Sequence, residues 1–174
     1  EVAERYDHKA LFVTVTLPSE FHPYSGGKDN EKYSGRSVLD GRDFFGVMWS
    51  RCRAWLGRRE CGAYGFRVAE PHHDGTLHYH FLLFADGCAV GTIGEAFKKY
   101  FLESYKPAER GAKKYRVNIK SDLPVSAAAG YIAKYISKNI DGHGVEEDLY
   151  GHESKNSSKR IEAWASSNSI RQFQ

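Results

Sequence analysis

From Leu11 to Leu17 apolar and polar positions alternate, with Leu11, Val13, Val15 and Leu17 on one side and Phe12, Thr14 and Thr16 on the other. Successive side chains of a strand point to opposite faces, so this is the pattern of a half-buried β-strand. Residues 62–70 and 77–84 read as two further strands joined by a turn around Asp74 and Gly75. A fourth strand is expected where Tyr115, Val117 and Ile119 alternate with Lys114, Arg116, Asn118 and Lys120, which gives it one cationic face. Helical spacing takes over elsewhere. Phe45, Met48, Trp49, Cys52, Trp55 and Leu56 recur behind a capping-box pattern of Ser37 and Asp40. Thr92 and Glu95 form a second such pattern ahead of Ile93, Phe97, Phe101 and Leu102, which predicts a helix to about Tyr105. A third helix is predicted over residues 124–139, stopped by Asp141 and Gly142. Residues 18–37, rich in Gly, Ser, Pro and Asn, read as a long loop of the kind that often carries function.

The order strand, helix, strand, strand, helix, strand, helix predicts an α+β fold, a central antiparallel β-sheet with helices packed against one side. At 174 residues and 41% hydrophobic content the chain suits one domain over residues 1–174, with residues 141–174 as a polar C-terminal extension. It starts on Glu1 and ends without a terminating pattern, so a piece excised from a longer protein is expected. Three cysteines without close pair spacing argue against a disulfide framework and fit a reducing, cytoplasmic setting. No stretch approaches the roughly 20 apolar residues of a membrane span, so no membrane partner is expected.

The net charge of +3 is modest but unevenly placed. Residues 98–120 hold eight Lys/Arg against two acids, and residues 36–59 six against two. Ordinary solvated faces and phosphate-binding ones fit this distribution equally well.

Two groups carry candidate chemistry. His78 and His80 flank Tyr79 within a predicted strand, so both imidazoles project from one face, side by side, where they can grip one cation. Whether Glu70 joins them depends on the parity of the turn. A two-residue turn pairs Glu70 with Tyr79, on the wrong face, and brings His72 or His73 back into consideration. A three-residue loop, His73, Asp74 and Gly75, with Gly75 left-handed, pairs Glu70 with His78, and this is the register we expect. A Glu, His, His set suits Mg²⁺ or Mn²⁺ and leaves positions open for a phosphate. The second group is Tyr131 and Tyr135, four apart on one helical face with roughly 6 Å between Cβ atoms, and bordered by Lys134 and Lys138. Tyrosines at the edge of a core would give the same spacing. Beside a metal and lysines, a phenol becomes a candidate nucleophile for phosphorus.

These residues together resemble the HUH endonucleases, and within them the two-tyrosine rolling-circle replication initiators of the kind found as gene A proteins in temperate tailed phages. The resemblance covers most of the chain and rests on Phe12 to Pro18, on Leu77 to Phe84 with its His-Tyr-His, and on Tyr131 to Lys138. It implies an HUH/Rep-type, RRM-like sandwich, a divalent metal on the open sheet face, and nicking of single-stranded DNA at an origin. It further implies a 5′-phosphotyrosine made by Tyr131 or Tyr135, a 3′-hydroxyl that primes synthesis, and a second tyrosine that exchanges strand ends. Lys134 and Lys138 would stabilise charge, His22 would neighbour the site, and Lys114, Arg116, Lys120 and Arg51 would track the DNA backbone. The loop aromatics Phe21, Tyr24 and Tyr33 would stack on bases. A host replication helicase, in the bacterial cytoplasm, would be a partner, and no small-molecule cofactor is expected. Alternatives are a non-catalytic single-stranded nucleic-acid-binding module, or an HUH transposase or relaxase. Single-tyrosine transposases lack the Tyr131/Tyr135 pair, and relaxases usually place their tyrosine near the N-terminus beside three histidines.

Overall fold

The computed structural model describes residues 2–103, 112–126, 128, 130, 131, 133 and 154–174. A short α1 (Val2–Arg5) leads into β1 (Lys9–Thr16). The long loop that follows folds on itself through a 3₁₀ turn (Ser19–Phe21) and a small hairpin, β2 (Tyr24–Ser25) with β3 (Lys28–Asp29). Then come α2 (Val38–Gly57), β4 (Tyr64–Pro71), β5 (Leu77–Ala85), α3 (Val90–Phe101), a four-residue α4 (Ala112–Tyr115), β6 (Val117–Leu123) and the C-terminal α5 (Ser154–Ser167). The fold is α+β, around a four-stranded antiparallel sheet in the order β4-β5-β1-β6.

The alternation in β1 and β5 divides the sheet into two unlike faces. Leu11, Val13, Val15, Tyr79, Phe81 and Leu83 are buried against α2 and α3. Phe45 of α2 stacks on Tyr79 with ring centroids 3.8 Å apart, and Trp49 reaches both Phe81 and Phe97 at 5.0 and 5.5 Å. On the other face Ala10 and Leu82 pack with Ala128, from a segment that is helical at the described positions between 125 and 133. Helical structure therefore covers part of both faces, not one side only.

Helix α2 begins as its sequence pattern requires. Ser37 accepts from the Asp40 amide at 3.2 Å and Asp40 accepts from the Ser37 amide at 2.7 Å. Helix α3 differs from expectation. Thr92 lies inside it, and the entry is made earlier, where Asp86 accepts from the Cys88 amide at the start of a 3₁₀ turn. The cationic strand is also shorter than its alternation suggests, because residues 112–115 coil into α4 and leave Tyr115 exposed. Part of the polar extension joins the fold: Ala165 and Ile170 enter the core, and the Phe173 region bridges to Val68 on the outer edge of β4. Its apolar positions are too sparse for the pattern to stand out among Ser, Lys and Asn.

Among the described residues no helix is long and apolar enough to cross a membrane. Cys52 is fully buried, and burial pushes its thiol up to about 12, so it serves as packing.

Phe45, 1% exposed, touches Tyr79, Phe81 and Phe101. Phe45→Ala is expected to cost about 3–5 kcal/mol, read as a lowered midpoint in denaturant unfolding with an unchanged slope.

Candidate active site

Strand β5 presents His78 and His80 on the face away from α2, and β4 brings Glu70 opposite His78. The connecting loop has the odd length this requires. The His72 amide donates to the Thr76 carbonyl at 2.6 Å, the Gly75 amide donates to His72, and Gly75 has φ +81°. A side chain is strained in that conformation, which explains glycine at this point.

Three donor atoms converge as a result. His78 Nε2 and His80 Nε2 lie 2.9 Å apart, and Glu70 Oε2 is 3.8 Å from the first and 3.5 Å from the second. Glu70 is 1% exposed and His80 8%. A carboxylate is buried so completely only where positive charge or hydrogen-bond donors compensate it. Thr14 of β1 stands opposite His80 in the register and places its hydroxyl 3.0 Å from His80 Nδ1. With Nδ1–H donating to that hydroxyl, the Nε2 lone pair faces Glu70 and His78, the orientation a metal ligand needs. Glu70, His78 and His80 thus form a donor set fit for one divalent cation.

The same face carries Tyr131. Its ring packs on Phe12 of β1 at 4.8 Å, and Phe12 in turn stacks on His80 at 5.7 Å. Lys120 of β6 donates to the Tyr131 hydroxyl at 3.1 Å and stands over its ring at 5.5 Å. Tyr135, Lys134 and Lys138 lie outside the described residues.

The other expected residues disperse. Lys114 is exposed, as is Lys120 beside Tyr131, and Tyr24 is exposed in β2, at the end of the β2–β3 hairpin away from its Gly26–Gly27 turn. Arg116, just after α4, is 4% exposed and its carbonyl accepts from the Thr16 amide; so buried a side chain does not present a phosphate-tracking surface. Arg51 projects from α2, on the helical side of the sheet away from the histidines, and pairs with Glu103 at 3.0 Å. Phe21 is buried in the core and cannot stack on a base, whereas Tyr33 remains partly exposed. His22 contacts Asp74 and the His72 ring instead of the Glu70 set.

A family profile for the bacteriophage replication gene A protein matches residues 1–143. The chain belongs to the bacteriophage replication gene A protein family. Its relatives include the "Replication gene A protein" of Escherichia phage 186, 39% identical over 94% of this chain and 24% of the relative. The "Replication protein" of Haemophilus phage HP1 is 37% identical over 100% of the chain and 23% of the relative. A Salmonella paratyphi A protein named "Probable replication endonuclease from prophage-like region" is 34% identical over 99% and 22%. The chain thus spans about a quarter of the length of the curated relatives it matches. No solved structure gives a significant match.

In this gene A family chain three contacts were not foreseen: Phe12 and Thr14 lie within the Phe12 to Pro18 motif but had been given no part in the site, and Lys120 had been expected on the DNA backbone and not at the tyrosine. The alternation of β1 put Phe12 and Thr14 on the face opposite the core, but no short hairpin joins β1 to β5, so their pairing with the histidine strand is a tertiary fact.

At the hairpin tip, burial alone would raise the Asp74 carboxyl, yet His22, His72 and the Thr76 amide hold it far below the usual carboxylate range. A carboxylate depressed on folding contributes stability that is complete above its unfolded pKa near 3.9 and is lost as pH falls through the folded value. Asp74→Asn is expected to lower stability by about 1–3 kcal/mol at neutral pH, and the gap should close as pH drops well below 4. Thermal melts across a pH series, with chelator present, measure it.

Proposed function

We propose that this chain is the endonuclease domain of a longer phage-type replication protein, and that it nicks and rejoins single-stranded DNA at a rolling-circle origin through a covalent 5′-phosphotyrosine. The observation that supports this best is the sharing of one sheet face by Tyr131 and the convergent Glu70, His78 and His80, with Phe12 touching both His80 and Tyr131. The endonuclease named among the Salmonella relatives agrees with it.

Glu70, His78 and His80 would hold Mg²⁺ or Mn²⁺, which when bound supplies Lewis-acid charge at a phosphate oxygen. Glu70 leaves that site with a net positive charge, because both histidines act as neutral ligands. Tyr131 Oη attacks phosphorus: the Oη–P bond forms as the P–O3′ bond breaks, the phenol gives up its proton to solvent, and the departing 3′ oxygen takes one up from solvent. Lys120, in contact with the hydroxyl, offsets the negative charge that the oxygen carries into the attack. Tyr135 would make the second cut, with Lys134 and Lys138 beside it. Lys114 and Tyr24 lie exposed, available to a phosphate backbone and to an unpaired base. The released 3′-hydroxyl would prime synthesis, and a host replication helicase would be a partner in the bacterial cytoplasm.

The test is incubation of the protein with labelled single-stranded origin oligonucleotides and Mn²⁺, then denaturing electrophoresis. A covalent protein–DNA adduct is expected, absent from the Tyr131→Phe, Tyr135→Phe double variant. Binding without any adduct, across a broad set of origin sequences, would leave a single-strand-binding module as the better description.

Metal dependence has its own readouts. Chelation and His78→Ala are each expected to abolish cutting while oligonucleotide binding, followed by fluorescence anisotropy, persists. Thr14→Val should weaken metal affinity by roughly 10–100-fold, seen in metal titration calorimetry.

A further inference from the structure

Beside the candidate active site lies a second cluster of ligand-type side chains that the nicking chemistry does not use. His22 comes from the loop after β1, and His72 and Asp74 from the tip of the β4–β5 hairpin. Their donor atoms all lie within 4.8 Å of one another. His22 Nδ1 is 2.8 Å from Asp74 Oδ2, and His72 Nδ1 is 3.6 Å from Asp74 Oδ1. The His22 and His72 rings meet edge to face at 5.4 Å.

The other nitrogen of His22 decides how this cluster reads. His22 Nε2 faces the Leu17 carbonyl oxygen at 3.3 Å. A carbonyl only accepts, so Nε2 carries the hydrogen, and in the neutral ring the Nδ1 lone pair then points at a carboxylate oxygen. Two electron pairs at 2.8 Å repel each other unless a positive centre lies between them. One proton on Nδ1 would satisfy this pair alone. It would not account for His72, whose Nδ1 also turns toward Asp74 at a distance too long for a hydrogen bond. A separation of 3.6 Å is instead close to the spacing of two ligands on one ion at bond lengths of about 2.0–2.2 Å. A backbone carbonyl fixing the remote ring nitrogen is also a common support for a metal-bound histidine.

The tip that carries these groups is held from several sides. The Thr76 amide donates to Asp74 Oδ1 at 3.0 Å, the Thr76 hydroxyl donates to the Phe21 carbonyl at 3.2 Å, and Trp164 Nε1 of α5 donates to the Gly75 carbonyl at 2.9 Å. The His22 and Asp74 side chains are 13% and 6% exposed, and the His72 side chain, at 42%, leaves the cluster open to solvent on one side. That combination gives two anchored ligands, one adjustable ligand and a route of entry.

We propose that His22, His72 and Asp74 form a second divalent-cation site, separate from Glu70, His78 and His80, that takes a divalent transition metal and ties the loop after β1 to the hairpin tip. Two imidazoles and one carboxylate, the same donor types that Glu70, His78 and His80 offer, suit a divalent transition metal such as Mn²⁺, Co²⁺ or Zn²⁺. The two clusters are neighbours, with the His72 and His78 rings 5.8 Å apart, but they share no side chain.

The experiment titrates chelator-stripped full chain with Co²⁺, read by visible absorption and calorimetry, without DNA. The parent is expected to take up two equivalents, Glu70→Ala/His80→Ala one, and His22→Ala/His72→Ala one. Because His22 also braces the loop, the half-exposed His72→Ala alone serves as the milder variant and should weaken one equivalent at least about tenfold with unchanged circular dichroism. A single equivalent in the parent that vanishes in Glu70→Ala/His80→Ala, or a second equivalent that survives in His72→Ala at full affinity, would overturn the proposal. Neither readout involves cutting, so the nicking assay can fail or succeed independently.

Discussion

The register between β4 and β5 is the constraint on which the candidate site depends. Side chains alternate along a strand, so a slip of one residue would carry Glu70 across the sheet to the α2 side and send Ala69 to the histidines. The slip is prevented from both ends. At the tip, the three-residue loop closes between His72 and Thr76 with Gly75 in a backbone conformation other residues resist. On the opposite face, Tyr79 and Phe81 are locked under Phe45 and Trp49. Hydrophobic packing on one side of β5 thus fixes the polar geometry on the other.

That division explains how a buried carboxylate and two histidines are sustained in a small domain. The apolar layer of α2 and α3 stabilises the sheet, which leaves the far face available for groups that gain little from burial. There β1 contributes through pairing alone. Thr14 orients His80, and Phe12 connects the histidine strand to Tyr131. Strand β6 adds Lys120 from the edge. Every strand of the sheet supplies one part of the arrangement.

Much of this was legible in the sequence, for reasons that differ by residue. The strands and α2 follow from alternation, from helical spacing and from the Ser37–Asp40 box, all of them local signals. His78 and His80 share a face by strand geometry, and Glu70 follows once the loop length is chosen. Alternation was extended backward through Lys114 and Tyr115, which coil as α4; Arg116 keeps the strand's phase opposite Thr16 but is buried, which alternation does not reveal; and Arg51 misled because charge along a chain does not say which side of a sheet it reaches. Thr92 offered a capping pattern that Asp86 pre-empts a turn earlier. Trp164 and Ile170, which bring α5 and the C-terminal residues onto the hairpin tip and core, are too isolated among polar neighbours to register as a periodic face.

The ring of Phe12 touches His80 on one side and Tyr131 on the other, and a phenyl ring neither gives nor accepts a proton at neutral pH. It sets an apolar ring between the two. On the proposed function, the proton of Tyr131 would not pass through the Phe12 ring and would leave toward solvent, with Lys120 offsetting the charge left on the oxygen. A single apolar side chain in β1 would thereby hold the proton chemistry proposed for the tyrosine apart from the coordination chemistry proposed for the histidines.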